Sequence, residues 1–300
     1  MRRTKRMRMA GIAAVTAALA MASAGPAGAA SLAGGDDVGF PDFDWANDDT
    51  CMPSADHPRP VLLVHGTTSN AGEMENIGRA LADQGHCVFA VNYGADDSSI
   101  VGQFPGALGL GDLDASAEEV HRAIRHVAGE TNAGRAAGAI DVLGYSQGAA
   151  LVKLAMNEHG DAEVVDTAVY LAGSHRGTTM GGIDALNIHA VPEAVAIGDA
   201  VLGRSSLQQV VGSEQVARLR ALPDTQPGVR YAVIVSDDDT TVTPPRSGFL
   251  EAGPGATVDN VAVQDVCPGA PRIDHVGIRD HEIGADLVAD AFAGRTIACG

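Results

Sequence analysis

The 300-residue chain carries 38 acidic and 20 basic side chains, a net charge of −18, with 45% hydrophobic and 19% charged residues. That composition is globular and excludes a disordered, collagen-like or polytopic membrane chain. Five bases (Arg2, Arg3, Lys5, Arg6, Arg8) fall in the first thirty residues, which hold no acid, so residues 31–300 carry 15 bases against 38 acids, or −23. Such a surface repels nucleic acid and anionic membranes and favours solubility.

The chain opens with a basic stretch to Arg8, an apolar run from Met9 to Ala24, and small residues through Gly25 to Ala30. This layout predicts a secretory signal over residues 1–30 with a cleavable Ala27-Gly28-Ala29 triplet, and hence a secreted protein. The apolar run is short of the ~20 residues needed to span a bilayer, so no integral membrane segment is expected after cleavage. Ser31 to Pro60, rich in Gly, Asp and Pro, reads as an extended arm.

Regular alternation follows. Val61-Leu-Leu-Val64 is a wholly apolar run, as in a strand buried on both faces. Met74, Ile77 and Leu81 fall at helical spacing. Cys87-Val-Phe-Ala-Val91 predicts a second strand, and Asp114 to Val127 a helix with Val120, Ile124 and Val127 on one face. Ile140 to Leu143 predicts a third strand, Gln147 to His159 a helix, and Thr167 to Leu171 a fourth strand. Tyr231 to Val235 and Val258 to Val263 predict two more strands, and Glu282 to Phe292 a closing helix. Strands alternating with helices imply one α/β domain over residues 31–300, with a mostly parallel sheet of about six strands covered on both faces. Residues 180–227 break the rhythm. They read as a lid-like insertion over the carboxyl ends of the strands, where ligands bind in open α/β sheets.

Four cysteines remain after the leader: Cys51, Cys87, Cys267 and Cys299. An even number in an exported chain, with no C-x-x-C pair, predicts disulfides over zinc ligands or a thiol nucleophile. Local loop closure favours Cys51–Cys87 and Cys267–Cys299 among the three pairings.

Gly144-Tyr-Ser-Gln-Gly148 sits between a predicted strand and a predicted helix, the context that makes G-x-S-x-G a nucleophile elbow and Ser146 a candidate nucleophile. The alternative is a structural turn serine. Serine needs a base, and the base an orienting acid. His275, in a loop after the last strand, is the favoured base. His281, at the start of the closing helix, is the alternative. Asp237, Asp238 and Asp239 all follow the fifth strand. The first two can equally end the strand and cap its turn, and Asp239 is favoured. Oxyanion donors are expected from the backbone N–H groups of Gln147 and Thr67, with the Thr67 hydroxyl as a possible third. His65 has no catalytic task in this scheme and reads as structural.

Together, His65-Gly-Thr67, Cys87-Val-Phe-Ala-Val-Asn-Tyr-Gly94, the elbow, Asp239-Thr-Thr-Val-Thr-Pro244 and Asp274-His-Val-Gly277 resemble the secreted class 2 bacterial lipases, especially of actinobacteria, in the α/β-hydrolase superfamily. The likeness runs from about Phe43 to Cys299. It implies an α/β-hydrolase fold, hydrolysis of triacylglycerols and simpler carboxylic esters through Ser146, Asp239 and His275, and no metal or other cofactor. The family's aspartate opens a D-x-x-V-x-P stretch, which matches Asp239. The expected partner is a lipid or other ester substrate, with an oil–water interface as a possible setting. Many relatives carry His where this chain has Tyr145. Tyrosine there also occurs in cutinase-like enzymes, which keeps a polyester substrate open. An acyltransferase on the same fold remains the other alternative. Candidate acyl-groove residues are Ile183, Leu186, Ile188, Val191, Val195, Val201 and Leu202, with core packing as the competing role.

Overall fold

The structure is a computed structural model and describes residues 39–299. The expected signal segment and the first residues of the arm lie outside the described residues. Six strands form one sheet: β1 (Val61–Val64), β2 (Val88–Val91), β3 (Ile140–Tyr145), β4 (Val165–Leu171), β5 (Arg230–Val235) and β6 (Thr257–Ala262). Their order is β2-β1-β3-β4-β5-β6 and every pairing is parallel. β1, β2 and β3 are buried along their whole length, as their unbroken apolar runs require of strands covered on both faces. The sixth strand ends one residue earlier than predicted, because Val263 begins a helical turn.

The helices are α1 (Glu75–Asp83), α2 (Leu113–Gly129), α3 (Asn132–Ala137), α4 (Gln147–Glu158), α5 (Pro192–Leu202), α6 (Arg204–Gln208), α7 (Glu214–Ala221), α8 (Val263–Val266), α9 (Gly277–Asp280) and α10 (Glu282–Ala293). Strand residues alternate between two cores, as a pleat of period two dictates. Leu62 and Val64 join α2 and α4, whereas Val61 and Leu63 join α1 and α10. α2 starts at Leu113 because the Asp112 side chain caps it, accepting from the N–H groups of Asp114 and Ala115. α4 is the most enclosed helix, with its run from Gln147 to Met156 entirely buried. The fold is that of an α/β hydrolase.

The arm is anchored. Gly39 bridges Asn92, and the Trp45 ring lies on α1 where Gly78 leaves room, since a Cβ there would sit 2.1 Å from Trp45 Cζ3. Cys51 is bonded to Cys87 and Cys267 to Cys299, the two locally closed pairings.

The segment between β4 and β5 has two characters. From Met180 to Leu202 no residue is buried. None of the seven candidate groove residues therefore packs into either core. α7, by contrast, buries Val216 and Leu219, the latter in the core that α4 shares.

Chain order reverses direction across the sheet between β1 and β3. Open α/β sheets form their ligand crevice at such a switch, beyond the carboxyl ends of the strands. Thr67 follows β1 and Ser146 follows β3, so the topology sets them on either side of that crevice.

Candidate active site

Ser146 joins β3 to α4 with φ 53° and ψ −117°. A left-handed φ on a non-glycine residue is strained and persists only where its surroundings enforce it. Here Ser146 N–H donates to Leu171 O at 3.0 Å, and its carbonyl accepts from Ser174 N–H at 3.0 Å. The two elbow glycines make the turn possible: a Cβ on Gly144 would lie 2.5 Å from Ala149 Cα, and one on Gly148 2.2 Å from Val64 O.

Ser146 Oγ lies 3.0 Å from His275 Nε2, and His275 Nδ1 lies 2.7 Å from Asp239 Oδ2. The other oxygen of Asp239 accepts from the N–H groups of Thr241 (2.7 Å) and Val242 (2.9 Å). All three residues are buried, with Ser146 7% exposed. A buried carboxylate so held fixes the imidazole with its proton on Nδ1, leaving Nε2 free to accept from the serine.

The other sequence candidates go elsewhere. Asp237 pairs with Arg246 on the surface. Asp238 accepts from Ile273 N–H and Gln264 Nε2, bracing the loop before His275. His281 caps α10, its Nδ1 accepting from Ile283 N–H at 3.1 Å. His65 is fully buried; its Nδ1 donates to Gly66 O, and burial lowers its pKa to about 3.

Gly66 lets the loop after β1 reach the nucleophile: a Cβ there would lie 2.9 Å from Ser146 Cβ. The next residue is Thr67. Gln147 is the first residue of α4, where a backbone N–H has no helical acceptor. Both N–H groups thus stand beside the serine at a helix N-terminus, a place that favours negative charge. Thr67 Oγ1 also accepts from two side-chain amides, Gln147 Nε2 (3.0 Å) and Gln209 Nε2 (2.9 Å).

Two roles were not visible as sequence motifs. Tyr145 donates its hydroxyl to His275 O at 2.9 Å, and its ring stacks on the His275 imidazole with centroids 5.2 Å apart. Arg279 lies over the other part of this assembly, 5.5 Å from the Tyr145 centroid, and pairs with Glu73 and Asp280. Gln209 lies in the insertion, where no spacing rule points at Thr67.

The insertion crosses from one side of the site to the other. At its start, Thr178 Oγ1 donates to Thr241 O, and Thr179 N–H to Thr243 O, in the loop that carries Asp239. At its far end, α6 is bonded to the loop beside the nucleophile through Ser205 Oγ and Gly109 O. A cleft of about 580 Å³ between α5 and the loop after β2 is lined by Asp96, Asp112, Asp199 and Arg204 among others, and by none of Ser146, His275 and Asp239. Among the described residues no His, Cys, Asp and Glu cluster is placed to hold a metal ion, and no helix is long and apolar enough to cross a membrane.

Residues 60–215 match the family model of palmitoyl protein thioesterases, a span that includes Thr67 and Ser146 and ends before Asp239 and His275. No curated protein matches the chain in sequence. Among solved structures, lipase B of Aspergillus fumigatus is similar at TM-score 0.62 and 22% identity, over 85% of this chain and 55% of that one. The chain thus spans little more than half of that lipase's length. The mature lipase BlEst2 of Bacillus licheniformis is similar at TM-score 0.55 and 15% identity, over 82% of this chain and 96% of that one. An esterase of Pyrobaculum calidifontis gives 0.52 and 14%, over 84% and 80%. These likenesses establish the fold.

Proposed function

The chain belongs to the palmitoyl protein thioesterase family, a hydrolase family, and on that premise we propose that it is a secreted serine hydrolase cleaving carboxylic acyl esters, triacylglycerols among them, through an acyl-Ser146 intermediate. The observation that carries this reading is the buried line from Ser146 Oγ through the His275 imidazole to the Asp239 carboxylate, at 3.0 and 2.7 Å.

In the proposed reaction His275 Nε2 takes the hydroxyl proton as Ser146 Oγ bonds to the acyl carbon. The carbonyl π pair moves onto oxygen, where the N–H groups of Thr67 and Gln147 and the Thr67 hydroxyl receive it. As the tetrahedral intermediate collapses, the C–O bond to the alcohol breaks, and His275 returns the proton to the leaving oxygen. Water then attacks the acyl-serine, its proton going to His275 and on to Ser146 Oγ as the acid departs. Asp239 stays ionised throughout and stabilises the imidazolium. Preorganised donors matter most in such a site, each worth roughly 10²–10³ in turnover.

Access requires the insertion to move, because Ser146 and His275 are buried and the open cleft beside α5 does not reach them. Of the six most exposed large apolar side chains among the described residues, Leu186, Val191 and Ile197 lie on the insertion and Ile100 and Phe104 on the loop bonded to it through Ile100 N–H and Ala200 O. An apolar rim on a movable cover suits an oil–water interface. The family model favours a second reading, a long-chain acyl thioester as substrate, which uses the same acyl-enzyme with a thiolate as leaving group.

Ser146→Ala is expected to fold normally and to release no p-nitrophenol from an acyl ester; retained hydrolysis sinks the proposal. Rates on dissolved and emulsified ester, and on matched ester and thioester pairs, separate the finer alternatives. Equal rates on dissolved and emulsified substrate would remove the role of the cover.

A further inference from the structure

The geometry points to Gln209, a residue of the insertion, as a positioning residue that turns the Thr67 hydroxyl proton toward the oxyanion. This inference rests on the proposed acyl-transfer reading and adds to it a part outside the elbow and the triad.

The Gln209 amide can face only one way. Its Nε2 lies 3.1 Å from Ser205 O, and a backbone carbonyl only accepts. Its Oε1 takes the Ser174 hydroxyl at 2.7 Å. The second amide hydrogen is therefore the one aimed at Thr67 Oγ1, 2.9 Å away. The residue has no freedom to turn: it is 4% exposed, and its backbone carbonyl accepts from Thr178 N–H at 3.0 Å. Thr67 Oγ1 also receives the Gln147 amide at 3.0 Å, and the Gln147 carbonyl oxygen is in turn 3.0 Å from the Tyr93 hydroxyl.

A threonine hydroxyl has two acceptor lone pairs and one proton. With both lone pairs occupied by amide donors, the proton must leave along the remaining tetrahedral direction, away from both glutamines. Thr67 lies next to Gly66, which abuts Ser146, and the remaining direction is toward the oxyanion. Two amides also polarise the O–H bond and strengthen it as a donor. The insertion that covers the site thereby helps to set its oxyanion hole.

The test is a comparison of isosteres on a soluble p-nitrophenyl ester, with kcat and KM measured separately. In Gln209→Glu a carboxylate takes the place of the amide donor, so the Thr67 proton turns back to it and one oxyanion donor is lost. The expected result is a kcat loss of about 10²-fold with little change in KM. In Gln209→Leu the hydroxyl is released and still samples the productive rotamer about one time in three, for a loss of only about three- to tenfold. A merely structural role predicts the reverse order, because Glu keeps shape and polarity and Leu does not. In a Thr67→Val background, where no hydroxyl remains to be turned, both substitutions should leave kcat unchanged. If Gln209→Glu does not fold, as judged by its melting temperature, the Gln209→Leu and Thr67→Val cycle still decides. Glu and Leu losses of the same size, or a loss that persists at full strength with Val at position 67, overturn the inference. Ser146→Ala keeps the two questions apart: its inactivity with a flat Gln209 series would remove the positioning role and spare the reading on which it rests.

Discussion

Asp239→Asn tests the triad most sharply, because the structure dictates which way the new amide must face. Asp239 Oδ1 accepts from the N–H groups of Thr241 and Val242. In the variant only the amide oxygen can fill that position, since an NH₂ there would confront two donors. The NH₂ group must then occupy the Oδ2 position, 2.7 Å from His275 Nδ1. Two donors cannot face each other, so His275 gives up the Nδ1 proton and carries it on Nε2, where it points at Ser146 Oγ. The imidazole then has no lone pair for the serine proton. A wrong-tautomer triad of this kind loses about 10⁴ in turnover, or ~5.5 kcal/mol of transition-state stabilisation. Asp237→Asn and Asp238→Asn are internal controls on the same loop. Asp237 pairs with Arg246 at the surface and Asp238 bonds Ile273 and Gln264, so each is expected to stay within about tenfold of the parent. Initial rates on a p-nitrophenyl ester, with melting curves to establish folding, make the comparison. A folded Asp239→Asn within tenfold of the parent, or an Asp238→Asn as impaired as Asp239→Asn, would refute the assignment of the acid.

Acid should destabilise the fold below neutral pH. His65 and His175 are buried with their pKa lowered by burial to about 3, from an ordinary 6.5. Between those values the unfolded chain binds two protons that the folded one does not, so the stability they confer is complete above pH 6.5 and is lost as pH falls toward 3. Asp141, lifted by burial to about 6, opposes this below pH 6 by taking up a proton in the folded state. The net slope is then about 1.4 kcal/mol per pH unit between pH 6 and 4, measurable as denaturation midpoints against pH, and a flat profile would contradict it. Asp224→Ala leaves the Lys153 ammonium buried without its 2.6 Å partner and is expected to cost about 3–5 kcal/mol, whereas Lys153→Met with Asp224→Asn recovers most of that in urea melts. Cys51→Ser with Cys87→Ser opens a covalent loop of sequence separation 36 far from Ser146; about 3–4 kcal/mol should go, with kcat at 25 °C retained.

The strands were readable because a sheet covered on both faces demands unbroken apolar runs, and Val61 to Val64 and Ile140 to Leu143 have nothing else to be. The elbow was readable because few backbones bend as Gly144 to Gly148 must. The two pairings of cysteine followed from proximity along the chain. The choice among Asp237, Asp238 and Asp239 turns on one residue of register in a loop, and only coordinates show that Asp239 alone turns inward to the imidazole. The insertion was visible as a break in rhythm but not as two halves, since Val216 and Leu219 look no more apolar than Val195 or Val201, and burial separates them. Gln209 had no signal at all: its role depends on α6 lying over the loop after β1, a contact between segments 142 residues apart.

The elbow's strain and the histidine's placement are linked through one residue. Tyr145 is the last residue of β3, so its backbone fixes where the left-handed Ser146 begins. Its side chain reaches the carbonyl of His275 on a different loop. The same residue therefore sets the position of both the candidate nucleophile and its base, and the Arg279 guanidinium over its ring, itself held by Glu73 and Asp280, limits its movement. A histidine at this position is too short to span the distance that the Tyr145 hydroxyl covers. A base anchored through the strand that presents the nucleophile keeps its distance to that nucleophile when the cover moves, because neither Tyr145 nor Arg279 belongs to the insertion. The cover can then open for a substrate and disturb only the hydroxyl that Gln209 orients, while the Ser146, His275 and Asp239 line stays intact.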